Sequence, residues 1–160
     1  MSKPSDEKKP EEITAGIKSL IHRTSAWCAG VGVALSPIPL LDELALFPMY
    51  NVLSWRIARR HKLKWKQIPW RPILNSTTAG LVARAGVNIT FAVLPGVSAV
   101  GSAATAAALT EILGHYVDDA CNDPVAAKTL TVRNVFDMLK SALLRKKGAA
   151  VQPTPAVIVS

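Results

Sequence analysis

The sequence is poor in the residues that build disulfide scaffolds, zinc sites and aromatic cores. Its 160 residues include two cysteines, Cys28 and Cys121, and aromatic residues make up 6% of the chain. The cysteines lie far apart and form no Cys-x-x-Cys or Cys/His spacing, so neither a disulfide framework nor a zinc module is indicated. The first residues contain no apolar run behind a basic start, and we therefore expect no cleaved secretory signal.

Charged residues are also scarce, at 19% of the chain, and most of the chain has an excess of one sign. Residues 1–13 hold three lysines and four acids, which leaves 16 basic residues against 7 acids in the remainder. The formal charge of +8 therefore belongs to the body of the protein. Such a body favours anionic partners, namely lipid headgroups, nucleic acid or acidic protein surfaces.

Apolar residues recur at intervals of three and four, and no segment shows the alternation of a β-strand. The pattern predicts an all-α fold with one helical domain over residues 11–147, preceded by a disordered tail over residues 1–10. Helices are expected over residues 11–35, 40–61, 73–94 and 97–117. They form two hairpins, residues 11–61 and 73–119, and the breaks within them are expected at Pro37, Pro39, Asp42, Pro95 and Gly96.

The C-terminal part predicts one further helix. Asp123 followed by Pro124 has the character of an N-cap and a first-turn proline. Apolar residues then recur at helical spacing, which predicts an amphipathic helix over residues 124–147. Residues 148–160 are expected to form a flexible tail.

Small residues in the second hairpin favour association with a membrane. Residues 85–110 carry no charge, and Gly101, Ala103 and Thr105 belong to stripes of small side chains spaced four apart, which let helices approach closely in lipid. The same stripes would give tight packing in a soluble bundle, and this alternative stays open. If both hairpins double back, the basic segments share one side, which is the positive-inside pattern. The uncharged residues 24–36 reach only about 20 Å as a helix, so partial insertion is an alternative to spanning a hydrocarbon layer of ~30 Å.

The connector over residues 56–72 mixes basic and tryptophan residues, as membrane-surface segments do. The residues expected at the membrane surface are Arg59, Arg60, Lys62, Lys64, Trp65, Lys66 and Trp70. A solvated loop is the alternative. Nucleic-acid binding by the same mixture is disfavoured, because the apolar segments on either side would have no role in it.

Two adjacent acids, Asp42 and Glu43, lie where an apolar stretch meets the start of a helix. Carboxylates there interact favourably with the helix dipole, and Asp42 is placed to accept a hydrogen bond from a free backbone amide. A buried ion pair with Arg84 is the alternative. Adjacent helical residues point about 100 degrees apart, so the two acids are no acid/base couple. We expect no catalytic residues, no cofactor and no metal site.

Three stretches, "PIPLLDELALF", "IARRH" and "FAVLPGVSAVGSAATAAALTEILGHYVDD", resemble the YcjF-like family of small bacterial helical proteins over residues 17–119. The resemblance implies a bacterial protein associated with Era-type GTP-binding domains. This chain contains no Gly-x-x-x-x-Gly-Lys-Ser/Thr phosphate loop, so a GTP-binding protein would be a separate partner.

Together these features predict a noncatalytic scaffold or anchor at the cytoplasmic face of the bacterial inner membrane, bound to anionic lipid and to a protein partner. The GTP-binding partner is implied by the resemblance alone. One alternative is an oligomeric pore in which Arg84 or Glu111 faces the conduit. Another is a soluble helical bundle that self-associates or binds a hydrophobic ligand.

Overall fold

The computed structural model is a helical bundle and describes residues 8–35, 41–92 and 98–149. Its elements are α1 (Lys8–Leu35), α2 (Leu41–Arg60), a short 3-10 helix (Trp65–Gln67), α3 (Trp70–Ala92), α4 (Ser98–Asn122) and α5 (Val132–Ala149). No strand occurs within the described stretches, and the predicted all-α class is confirmed. None of the described helices is both long and apolar enough to cross a membrane.

Helix α4 lies at the centre of the bundle and contacts each of the other four helices. Its many small side chains let the neighbouring backbones come close. A methyl group built on Gly32 of α1 would lie 3.0 Å from the backbone oxygen of Ser102, and one built on Gly114 would lie 2.8 Å from the Ile21 side chain. At these two crossings the absence of a side chain is what allows α1 and α4 to pack.

Of the residues predicted to pack helices together, Gly101 and Thr105 are buried and Ala103 is half-buried. They lie on α4, where the bundle is most closely packed. The small-residue stripe is therefore part of the interior of the bundle.

The antiparallel packing of neighbouring helices gives the bundle two distinct ends. The Arg60 side chain at the end of α2 lies against Gly16 near the start of α1. His61, just after α2, contacts Asp118 near the end of α4. We call this end the base, and the opposite end, where α1 and α3 finish, the tip. The connector between α2 and α3 lies at the base, and its Ile68 joins the buried core there.

Helix α5 begins eight residues later than predicted. The Asp123 carboxylate does accept a hydrogen bond from a backbone amide, that of Ala126 at 3.1 Å, but this bond closes a turn. The N-terminal cap of α5 is Thr131, whose hydroxyl accepts a hydrogen bond from the backbone amide of Asn134 at 3.2 Å. On the inner side of the helix, Val135 and Leu139 are fully buried. The predicted start at Pro124 was therefore wrong.

Several predicted break residues cannot be placed. Pro37, Pro39, Pro95 and Gly96 lie outside the described residues. Asp42 belongs to the first turn of α2, but its side chain is also outside the description.

Candidate functional site

Helix α2 is apolar on its exposed side as well as on its buried side. The buried side carries Leu46, Tyr50, Leu53 and Ile57. The exposed side carries Leu44, Phe47, Val52 and Trp55, which are between 39% and 72% exposed. A helix on a protein surface ordinarily presents polar residues to water. Several large apolar side chains on that side, interrupted only by Asn51, are typical of a surface covered by a partner or a membrane.

The exposed side of α2 becomes basic toward the base. Arg56, Arg59 and Arg60 follow the apolar stripe and are exposed, and the Arg59 guanidinium lies 5.1 Å from the centre of the Trp55 ring. Helix α1 adds Trp27, which is 74% exposed, and Arg23. We call this surface the α1–α2 face: Arg23, Trp27, Leu44, Phe47, Val52, Trp55, Arg56, Arg59 and Arg60.

The connector residues predicted at a membrane surface are brought together at the base. Arg59, Arg60, Lys62, Lys64, Trp65 and Lys66 are exposed, and Trp70 is half-buried. The two tryptophan rings have centroids 4.6 Å apart, and the Trp70 Nε1 donates a hydrogen bond to the Trp65 carbonyl at 3.3 Å. Trp65, which is 64% exposed, is the ring that is open to the surroundings.

The backbone turn at Lys62 closes α2 and directs the chain into the connector. Its φ of 57° is in the left-handed region. The Lys62 amide donates to the Arg59 carbonyl and the Leu63 amide to the Ala58 carbonyl, each at 3.1 Å. This is the hydrogen-bond pattern of a Schellman cap, whose left-handed position glycine usually fills.

A buried ion pair joins the two hairpins. Glu43 Oε1 lies 2.7 Å from Nη1 of Arg84, whose side chain is fully buried. The Arg84 Nη2 also donates to the carbonyl and the hydroxyl of Ser102, at 3.1 and 2.9 Å. Asn88 Nδ2 lies 3.4 Å from Glu43 Oε1, and Asn88 Oδ1 accepts from the Thr105 hydroxyl at 3.0 Å. A charge this deep needs a counterion and hydrogen bonds, and α2 and α4 supply them.

For Glu43, the structure therefore shows the alternative of an ion pair with Arg84. For Arg84, it shows a position inside the bundle between helices. Glu111, the other residue predicted to line a conduit, lies on the surface 3.5 Å from His22.

The histidines and cysteines lie at separate places in the bundle. His61 Nε2 lies 2.7 Å from Asp118 Oδ1 in a largely buried contact that joins the end of α2 to α4. His115 is exposed on α4. Burial raises the pKa of Cys28 and raises that of Cys121 to about 11, so both thiols are protonated at neutral pH. In the described part of the chain, no group of three histidine, cysteine or carboxylate side chains is placed to hold a metal ion.

The sequence interpretation missed the largest part of the α1–α2 face. The helical spacing of Leu44 and Phe47 predicts that both lie on the buried side of α2, which is wrong, since both are exposed. Trp27 was given no role, and the predicted surface was confined to the connector. A usable signal was present, because apolar residues surround α2 on all sides and one side of such a helix must face outward in a bundle of this size.

Comparisons with known proteins give this chain no relatives: no family model, no curated protein and no solved structure matches it. The YcjF-like resemblance therefore stays a prediction.

Proposed function

We propose that this protein is a noncatalytic membrane anchor or scaffold that docks its α1–α2 face on an anionic membrane surface. The observation that carries the proposal is the exposed side of α2, where an apolar stripe with two aromatic residues, Phe47 and Trp55, runs directly into three arginines. Apolar side chains bordered by cations match the interface between acyl chains and anionic headgroups.

The apolar part and the basic part of the face contribute different interactions with the membrane. Phe47, Val52, Trp55 and Trp27 leave water for the headgroup and upper acyl region, which is favourable in proportion to the apolar area covered. The arginines contribute roughly 1 kcal/mol each near a negatively charged leaflet. The exposed lysines of the base strengthen the attraction at longer range, within a Debye length.

The bundle then presents its remaining surface to a partner. Helix α5 contacts α3 and α4 and makes no contact with α1 or α2, so it lies away from the α1–α2 face. The proposed site of action is the cytoplasmic face of the bacterial inner membrane. A GTP-binding protein as the partner follows only from the resemblance to the YcjF-like family.

Vesicle co-sedimentation tests the proposal. We expect the full chain to sediment with vesicles that contain phosphatidylglycerol, to bind neutral phosphatidylcholine vesicles much more weakly, and to be released partly by high salt. The double variant Phe47→Gln/Trp55→Gln removes two residues that are each 39% exposed, so its fold is expected to persist. It should weaken vesicle binding by about tenfold or more, because two aromatic side chains no longer insert into the membrane.

The matched control is Phe136→Gln/Met138→Gln on α5, where the two side chains are 40% and 44% exposed. It removes a similar apolar area from another side of the bundle and should leave vesicle binding unchanged. Equal losses in both variants, or no binding of the original chain to anionic vesicles, would overturn the proposal. A dimer in analytical ultracentrifugation that only the α2 variant disrupts would assign the face to a second copy instead.

A further inference from the structure

Two adjoining cavities form a groove between α1 and α2 on the α1–α2 face. The cavity toward the tip has a volume of 320 Å³, and the one toward the base a volume of 310 Å³. Both are lined by Thr24, Trp27 and Arg56, so the groove is continuous.

The two ends of the groove differ in chemistry. Pro48, Val52 and the Trp27 ring line the apolar end. Arg23, Arg56 and Arg60 line the other end. Among the described side chains, no carboxylate forms an ion pair with any of these three arginines. The groove thus combines an apolar wall with three guanidinium groups around one cavity.

Gly16 of α1 determines where one of these charges lies. A methyl group built on Gly16 would clash with the Arg60 Nη1, so the guanidinium rests directly on the glycine. With any larger residue at this position the end of the flexible Arg60 side chain would have to move. The glycine therefore lets α2 place a cation over α1 at the basic end of the groove.

We infer that this groove binds one membrane lipid with a phosphate monoester headgroup, holding the phosphate at Arg23, Arg56 and Arg60 and an acyl chain along Trp27 and Val52. Guanidinium groups match phosphate oxygens in geometry and charge, and a dianionic phosphate suits a cavity with three cations better than a singly charged headgroup does. The inference deepens the proposed function by naming the lipid class, and it rests on that function.

Decyl phosphate below its micelle concentration is the probe, because it carries both recognised parts and needs no membrane. Isothermal titration of the full chain should give one site per chain. Decyl maltoside, which has the chain without the charge, and inorganic phosphate, which has the charge without the chain, should each bind at least about tenfold more weakly. Equal binding of either control compound would overturn the inference.

Two variants locate the site, and a third serves as the control. Arg56→Gln should weaken decyl phosphate binding about fivefold, the effect of losing one partly exposed charged contact. Gly16→Ala should also weaken it, since it displaces the Arg60 guanidinium while leaving the net charge unchanged. Lys140→Gln removes one exposed charge from α5 and should have no effect on binding. Circular dichroism checks that all three variants fold. A loss of affinity with Lys140→Gln as large as that with Arg56→Gln would overturn the site.

Vesicles separate the failure of this inference from that of the proposed function. Phosphatidate vesicles should bind more tightly than phosphatidylglycerol vesicles of the same total charge, and Gly16→Ala should remove the difference. If anionic vesicles bind while decyl phosphate does not, the lipid site is wrong and the anchor stands. If neither binds, both are wrong.

Discussion

Lys62 has a backbone conformation that residues other than glycine adopt only with strain. A side chain in the left-handed region costs roughly 1–2 kcal/mol, although the wider backbone freedom of glycine in the unfolded chain offsets part of the gain from replacing it. We expect Lys62→Gly to raise the free energy of unfolding by about 0.5–1 kcal/mol, measured by urea denaturation.

Lys64 is the matched control for this substitution. It is also an exposed connector lysine, but its backbone is extended, with φ of −73° and ψ of 152°. Lys64→Gly should therefore leave stability unchanged or lower it slightly. A similar gain from both substitutions would mean that removing positive charge, and not backbone strain, is responsible.

Residue types alone predicted that the basic residues of the connector lie on the surface, but for Glu43 they favoured the helix dipole over the ion pair with Arg84 that the structure shows. The basic residues of the connector are exposed because so many long charged side chains in one segment cannot be buried. Whether Glu43 meets a helix dipole or Arg84 depends on how the two hairpins pack, and no local pattern in the sequence contains that information.

At the scale of single elements, the start of α5 shows how local chemistry can be read correctly and placed wrongly. Asp123 caps a turn through the same carboxylate-to-amide bond that it would make at a helix N-terminus. No helix follows there, and Val125, 98% exposed, buries nothing. The helix begins only at Val132, from which Val135 and Leu139 reach the core.

This arrangement predicts that the Thr131 hydroxyl stabilises the N-terminus of α5. Thr131→Ala should lower the free energy of unfolding by about 1 kcal/mol, because the Asn134 amide loses its side-chain acceptor. Thr131→Ser keeps the hydroxyl and should retain most of the stability. Thr129→Ala, an exposed threonine outside the helix, is expected to be neutral in the same thermal unfolding measurement. A loss at Thr129 equal to that at Thr131 would contradict the assigned cap.

Helix α2 shows the limit of periodicity as evidence. Its buried side follows helical spacing, and the helix continues through Pro48 without ending. The spacing gives no sign of which apolar residues stay outside, since α2 carries them all round. Exposure of Trp27 and Phe47 is a property of how α1 and α2 lie against α4, so the groove between α1 and α2 could not be predicted from the sequence.

At the scale of the whole molecule, the two hairpins are joined by the Glu43–Arg84 ion pair. Removing one partner of such a buried pair is expected to cost about 3–5 kcal/mol. Glu43→Gln leaves the arginine buried without its counterion, so it should lower the free energy of unfolding more than Arg84→Met does. The double variant Glu43→Gln/Arg84→Met should recover part of the loss, which a double-mutant cycle in urea would measure as a large coupling energy.

The exposed pair His22 and Glu111 is the control for this cycle. Its atoms are 3.5 Å apart, and the side chains are 66% and 42% exposed. The coupling energy of such a surface pair is about 0–1 kcal/mol. Coupling of equal size in the two cycles would show that burial adds nothing to the Glu43–Arg84 interaction.

The separation of α5 from α1 and α2 bears on how a tethered partner would be retained. A molecule held on the α5 side would leave the α1–α2 face, the proposed lipid-binding surface, free, so both attachments could form at once. The two attachments act in series, so the partner stays at the membrane only while both are in place. Loss of either would release the partner within a single dissociation step, which gives the cell two independent points at which recruitment ends.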